Sequence, residues 1–198
     1  MVKHQSSVKI EPLSHGAEVI HSHTRLLRIS LALEESRAYW EHRCLEIPKE
    51  QLVTQDFEER WFGNKSMARV QRLISELSHR YDDYPVALAV LTRWRPTDPV
   101  TRQNICHWHL QLTDPTYRRF TGEYLEQRRL QKNPTIDRDI VTRWVVSSIG
   151  SDWAPATSQR LATGLLTTAA SAGLCTSGSG SRTFHYPQVS DEALTYWL

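Results

Sequence analysis

The sequence predicts a mainly α-helical protein, a bundle-like helical body followed by a tail in which two helices precede a small β-hairpin. Three observations carry this prediction. Apolar residues recur at helical spacing, most clearly Val70, Leu73, Ile74 and Leu77. Two pairs, Asp98-Pro99 and Asp114-Pro115, each set a capping acid before a proline at the first helical position. The last third reads helix, turn, helix, hairpin, which is the order of a winged helix-turn-helix. A helical N-terminal domain is therefore expected over 1–132, of which 1–60 is hard to place, and a winged-helix-like domain over 133–198. At 198 residues the chain buries roughly 70% of its unfolded surface without a disulfide or metal staple.

Taken in order, His21-Ser-His23 with Leu27, Ile29, Leu31 and Leu33 alternates like a strand, yet Leu26, Ile29 and Leu33 also fit a helix. Residues 34–43 read as helix with acids in the first turn. A polar connector runs from Ile47-Pro48 to Gly63. Ser66 then caps a helix to about Tyr81. Its other face holds Lys65, Arg69, Arg72 and Arg80 around Glu76, spaced for salt bridges within the helix. Asp82-Asp83 before Pro85 reads as capping of a short helix at about 85–94. The Asp-Pro pairs open helices at about 99–112 and 115–131. Thr135 is the expected cap of a helix to about Ile149, ended by Gly150, and Ser151–Pro155 is a turn. A helix at about 156–172 buries Leu161, Leu165, Leu166 and Ala169 and stops at Gly173. Leu174-Cys-Thr and Arg182–Pro187 form the hairpin around a Ser177-Gly-Ser-Gly-Ser181 tip, and Ser190 caps a last helix ending in Trp197 and Leu198.

Composition excludes several classes. Hydrophobic content of 39% and charged content of 23% are those of a folded chain, not a disordered one. The longest strongly apolar run, Val86–Leu91, is far short of a membrane span of about 18 residues. Met1–Ser7 lacks the apolar core of a signal peptide. Cys44, Cys106 and Cys175 are odd in number and scattered, which suits a reducing cytoplasm. The signatures G-x-x-x-x-G-K-[ST], G-x-G-x-x-G and H-E-x-x-H are all missing, and no cofactor is expected.

Cys106-His-Trp-His109 puts a thiol and an imidazole on one helical face, a zinc-like or nucleophilic pair. No second Cys/His pair follows at finger-like spacing, so a buried Cys and a packed His beside Trp108 is the expectation. Charge is more telling. The net +2 divides into 14 Lys+Arg against 14 Asp+Glu over 1–99 and 10 against 8 over 100–198. Arg outnumbers Lys by 19 to 5, a bias that serves polyanion contact or surface ion pairing. In the 115–131 helix Tyr117, Phe120 and Tyr124 share one arc. Arg118, Arg129 and Lys132 share another, about 60° wide and free of acids. On the 156–172 helix Gln159, Arg160, Thr163 and Thr167 point outward, where a groove helix reads base edges. Arg138, Arg143 and Arg182 are placed to grip phosphates. A winged-helix domain used only for protein contacts is the competing expectation.

Trp153-Ala-Pro-Ala-Thr157, Leu161 with Leu165-Leu166, Ala172-Gly-Leu174, and Pro187-x-Val-Ser-Asp-Glu-Ala-Leu-x-Tyr196 resemble the BrxA family of BREX bacteriophage-defence islands. Ser66, Arg69, Arg72-Leu73 and the 115–145 stretch also fit, so the resemblance covers about 60–198. It implies a small, non-enzymatic helical protein, partly similar in fold to the antiterminator NusB, that binds double-stranded DNA. Such a protein acts beside a methyltransferase, an ATPase and other defence components. The family has also carried an inner-membrane label, which the lack of a spanning segment opposes. The resemblance supplies no contact residues, so the DNA-binding candidates remain Arg118, Arg129, Lys132, Arg138, Arg143, Gln159, Arg160 and Arg182. A protein–protein adaptor and a winged-helix transcriptional regulator are the alternatives.

Overall fold

The computed structural model describes residues 17–149 and 153–198. The expectations for Met1–Ser7, for Gly150 and for the turn at Ser151 lie outside those residues. The chain is mainly helical with one small antiparallel sheet, as the apolar spacing predicts.

The body begins with a 3-10 turn, Arg25–Leu27, neither the strand nor the helix that the pattern allowed. Helices α1 (Leu33–His42), α2 (Lys49–Glu59), α3 (Met67–Tyr81), α4 (Pro85–Trp94) and α5 (Pro99–Thr113) follow. Helix α2 replaces the expected connector. Leu52 is its one fully buried apolar side chain and its start has no side-chain cap, so its periodic signal is faint. Three caps obey local chemistry. Ser66 accepts from the Arg69 N–H, Asp98 from Thr101 and Asp114 from Tyr117.

Asp82 does not cap α4. Its carboxylate accepts from the Tyr39 hydroxyl at 2.7 Å and from the Arg43 guanidinium at 3.0 Å, which ties α1 to the end of α3. Nor does Glu76 pair within α3. It is buried beneath Arg25 and Arg28, which reach it from the 3-10 turn at 3.1 and 3.0 Å. Arg80 turns inward to the carbonyls of Leu31 and Ser30, and Arg69 donates to that of Arg28. The side chains on this face of α3 therefore hold the N-terminal segment.

The expected 115–131 helix is three pieces: α6 (Pro115–Arg119), a π-helical turn (Phe120–Tyr124) and α7 (Leu125–Arg129). Phe120 and Tyr124 both pack on Trp144, with ring centroids 5.4 and 5.0 Å away. A π turn amounts to one extra residue in the helix, so positions beyond it leave the arc drawn at 100° per residue.

Strand β1 (Thr135–Ile136) comes next, then α8 (Arg138–Ser148), α9 (Pro155–Ser171), β2 (Arg182–Thr183) and α10 (Asp191–Trp197). Asp137, not Thr135, caps α8 by accepting from the Ile140 N–H at 2.8 Å. Thr135 instead lies opposite Thr183, and Ile136 opposite Arg182. The hairpin is present. Cys175 bridges to Phe184, and the Thr176 and His185 amides bond across to Thr183 and Leu174. Its second arm thus pairs with the first arm on one side and with β1 on the other, beside α8 and α9.

Val141 and Val145 of α8 face Leu161, Leu165 and Ala169 of α9, and this core is continuous with the Tyr39, Trp40, Tyr81 and Ile105 core of the body. Gly173 ends α9 at φ +74°, a left-handed conformation that glycine adopts without strain. Helix α10 returns to α5. Its cap Ser190 meets the Thr101 hydroxyl at 2.8 Å, and Tyr196 hydrogen-bonds His109 at 2.6 Å.

Candidate nucleic-acid interface

Helix α9 stands between the hairpin and the N-terminal segment. Its inner stripe of Ser158, Leu161, Ala162, Leu165, Leu166, Thr168 and Ala169 is buried. The opposite stripe, Ala156, Gln159, Arg160, Thr163 and Thr167, is exposed. Three clefts join along that exposed stripe. The first lies between α9 and the hairpin tip, where Arg138, Thr163 and Thr167 face Gly178–Ser181. The second shares Arg138, Thr163 and Thr167 with it and adds Gln159, Arg160 and Leu27. The third shares Leu27 and Arg160 and continues to α3. Together they make one concave track across the exposed side of α9.

Electrostatics favour an anion along this track. No aspartate or glutamate occurs between Asp152 and Asp191, so α9 and the whole hairpin carry no acid. That run is legible in the sequence and is a stronger signal than the arc on the preceding helix. Asp137 and Asp139 border only the hairpin end, where Asp137 is engaged in capping α8. The Arg138 side chain is mostly exposed and 3.9 Å from Asp139 at its nearest approach. Gln159 and Arg160 are exposed, and neither side chain is engaged by a partner among the described residues.

The structure brings Arg138, Gln159 and Arg160 together, with Arg182 in the wall of the hairpin-end cleft, and places Arg118, Arg129, Lys132 and Arg143 outside the lining of all three clefts. Arg118 donates to the carbonyls of Gln111 and Val19 at 2.6 and 2.9 Å and pairs with Glu18 at 3.4 Å. The Arg129 side chain is 8% exposed. It donates to the His185 carbonyl at 2.6 Å, pairs with Glu126 and lies over the Tyr186 ring at 4.5 Å. The arc expected to be free of acids is therefore corrected. Two of its three cations are bound within the chain, and only Lys132 is exposed. Lys132 lies beyond α7 and lines none of the three clefts.

Arg182 is also turned inward, donating to Leu166 at 2.8 Å and Gly178 at 2.7 Å. It holds the hairpin against α9 instead of offering its charge. Arg143 is exposed but sits about 140° around α8 from Arg138, on the side of Tyr124.

Cys106 and His109 do not form a working pair. Burial pushes the Cys106 thiol above its ordinary range, and it receives the Tyr81 hydroxyl at 3.6 Å. Burial lowers His109 to about 3 and His107 to about 4, so both rings are neutral at pH 7. His107 bonds the Tyr117 hydroxyl at 3.0 Å. Among the described residues no group of three His, Cys, Asp or Glu is placed to hold a metal ion, and no helix is long and apolar enough to cross a membrane.

Fold and surface together define a mainly helical protein whose C-terminal part sets a small hairpin beside two helices, the second of which has an acid-free exposed stripe. Comparison with family models, curated proteins and solved structures finds no match to this chain.

Proposed function

We propose that this chain is a non-enzymatic, double-stranded-DNA-binding accessory protein of a BREX-type phage-defence system, with α9 entering the major groove. The observation that supports this most is the acid-free exposed stripe of α9, set beside a hairpin in winged-helix order and flanked by Arg138 and Arg160. Gln159 suits an adenine edge, Thr163 and Thr167 suit phosphates or thymine methyls, and the two arginines suit phosphates. The Gly-Ser tip at Ser177–Ser181 follows a backbone without demanding a sequence. The defence setting, with a methyltransferase and an ATPase as neighbours, rests on the resemblance to BrxA. With few cations on the track, binding is modest in strength and sensitive to salt.

The test is a mobility-shift titration of duplex DNA against salt. Wild type is expected to retard the duplex at roughly 50 mM salt and release it as salt rises. The Arg138→Ala/Arg160→Ala double variant is expected to flatten the log affinity against log salt slope by about 1.8, about 0.9 for each lost phosphate contact. A wild-type protein that leaves the duplex unshifted at low salt overturns the proposal.

A second reading, a protein–protein adaptor, is favoured by one patch. Val90 and Trp94 of α4 and Tyr196 of α10 line a shallow groove, and Val86, Leu194 and Trp197 are exposed on the same two helices. That reading predicts co-purification with other defence proteins and no DNA shift.

A further inference from the structure

The third cleft of the track lies outside the winged-helix-like tail, between the 3-10 turn, α3 and the start of α9. It is open and about 670 Å³ in volume. Arg28, Arg72 and Arg160 line it, each from a different part of the chain, together with Thr24, Gln71 and Ser75. Its one carboxylate, Glu76, is 2% exposed and held by both Arg25 and Arg28. That acid is neutralised from within and fixes the Arg28 guanidinium at the rim. Arg72, an exposed side chain one helical turn before Glu76, takes no part in the pair. The lining is thus three guanidiniums, two hydroxyls and an amide around a compensated acid. This donor-rich set, with three guanidiniums against one paired acid, matches the oxygens of a phosphodiester and repels a cation.

We infer that this cleft is a phosphate subsite for the duplex that α9 engages, so that the helical body, and not the winged tail alone, grips DNA. The inference rests on the DNA-binding reading above and extends it to residues from another part of the chain. Arg160 belongs to both the α9 stripe and this cleft, so a strand following the groove face of α9 passes directly onto the body. The neutral donors suit sugar–phosphate contacts, which position a duplex without reading its bases.

Fluorescence anisotropy of the full chain with a labelled duplex, titrated across salt concentrations, tests this. The variants are Arg72→Ala, Arg72→Glu and, on α4 away from all three clefts, Arg93→Ala. One phosphate contact carries a slope of about 0.9, equivalent to roughly eightfold in affinity at 0.1 M salt relative to 1 M. Arg72→Ala is expected to flatten the slope by that amount, Arg72→Glu to weaken binding further, and Arg93→Ala to leave the slope unchanged. Circular dichroism melts of the Arg72 variants matching wild type assign the loss to the contact and not to folding.

Arg72 variants that keep wild-type affinity and slope overturn the subsite, as does an equal loss in Arg93→Ala. If the Arg138/Arg160 double variant loses slope while the Arg72 variants do not, only the subsite falls. A wild-type chain that binds no duplex removes the DNA-binding reading, and the subsite with it.

Discussion

Arg129 shows how a guanidinium becomes structural. Its donors meet the His185 carbonyl and the Glu126 carboxylate, while its flat face covers Tyr186. Removing it deletes two hydrogen bonds and a cation–π contact and frees the hairpin from α7, at a cost of about 1 kcal/mol. Arg129→Ala is accordingly expected to lower the urea midpoint while leaving the salt slope of DNA binding as in wild type. A flattened slope with unchanged stability reverses this assignment. Helical angles placed Arg129 beside Arg118 and Lys132, but angles cannot show what an arm from elsewhere will present to them. For Arg129 the deciding partner is 56 residues away in sequence, and for Arg118 it is 99. The α9 stripe was legible because Gln159, Arg160, Thr163 and Thr167 are defined against their own helix's buried side. Arg72 was not, since its meaning depends on Glu76 pairing with the 3-10 turn.

At the level of elements, legibility follows the strength of local chemistry. Asp98, Asp114, Ser66 and Ser190 announce their helices because each side chain accepts an otherwise orphaned N–H. Thr135 and Asp137 both satisfy the capping preference two residues apart, and pairing with Thr183 decides between them. The π turn at Phe120–Tyr124 has no such signal, because it is set by two rings closing on Trp144. Gly122 sits within it, exposed, at an ordinary φ and with nothing within 4 Å of where a Cβ would lie. Glycine there stabilises nothing in the folded state and enlarges the freedom of the unfolded chain. Gly122→Ala is expected to raise stability by about 0.5–1 kcal/mol, read as a higher melting temperature. A lower one shows that the π turn itself requires glycine.

Body and tail meet as one core, and the joint is chemically unusual. His109 of α5 reaches Tyr196 of α10, with Tyr81, Tyr84 and Trp197 around its ring. His107 lies two residues away against Tyr117. Burial holds His109 near 3 and His107 near 4, whereas both titrate near 6.5 when unfolded. Below pH 6.5 the unfolded chain therefore takes up protons that the folded chain refuses. Their contribution to stability is fully present above pH 6.5 and is lost as the pH falls towards 3–4, by up to about 1.4 kcal/mol per pH unit for each ring. His109→Gln keeps a hydrogen-bonding side chain beside Tyr196 and removes one of these two protons. The stability gap between wild type and variant, from urea unfolding at pH 7.5, 6.5, 5.5 and 4.5, is thus expected to move in favour of the variant as the solution is acidified. A gap independent of pH removes His109 from the acid response. Trp108 and Trp197 pack at this joint with ring centroids 5.3 Å apart, so they add a local signal to the fluorescence of the chain's seven tryptophans. Fluorescence and far-ultraviolet dichroism are expected to follow a single acid transition, since α10 cannot leave α5 without exposing His109. An earlier fluorescence change would mean that the tail releases before the body unfolds, and that the track proposed to bind DNA, which spans both, has a pH-sensitive hinge.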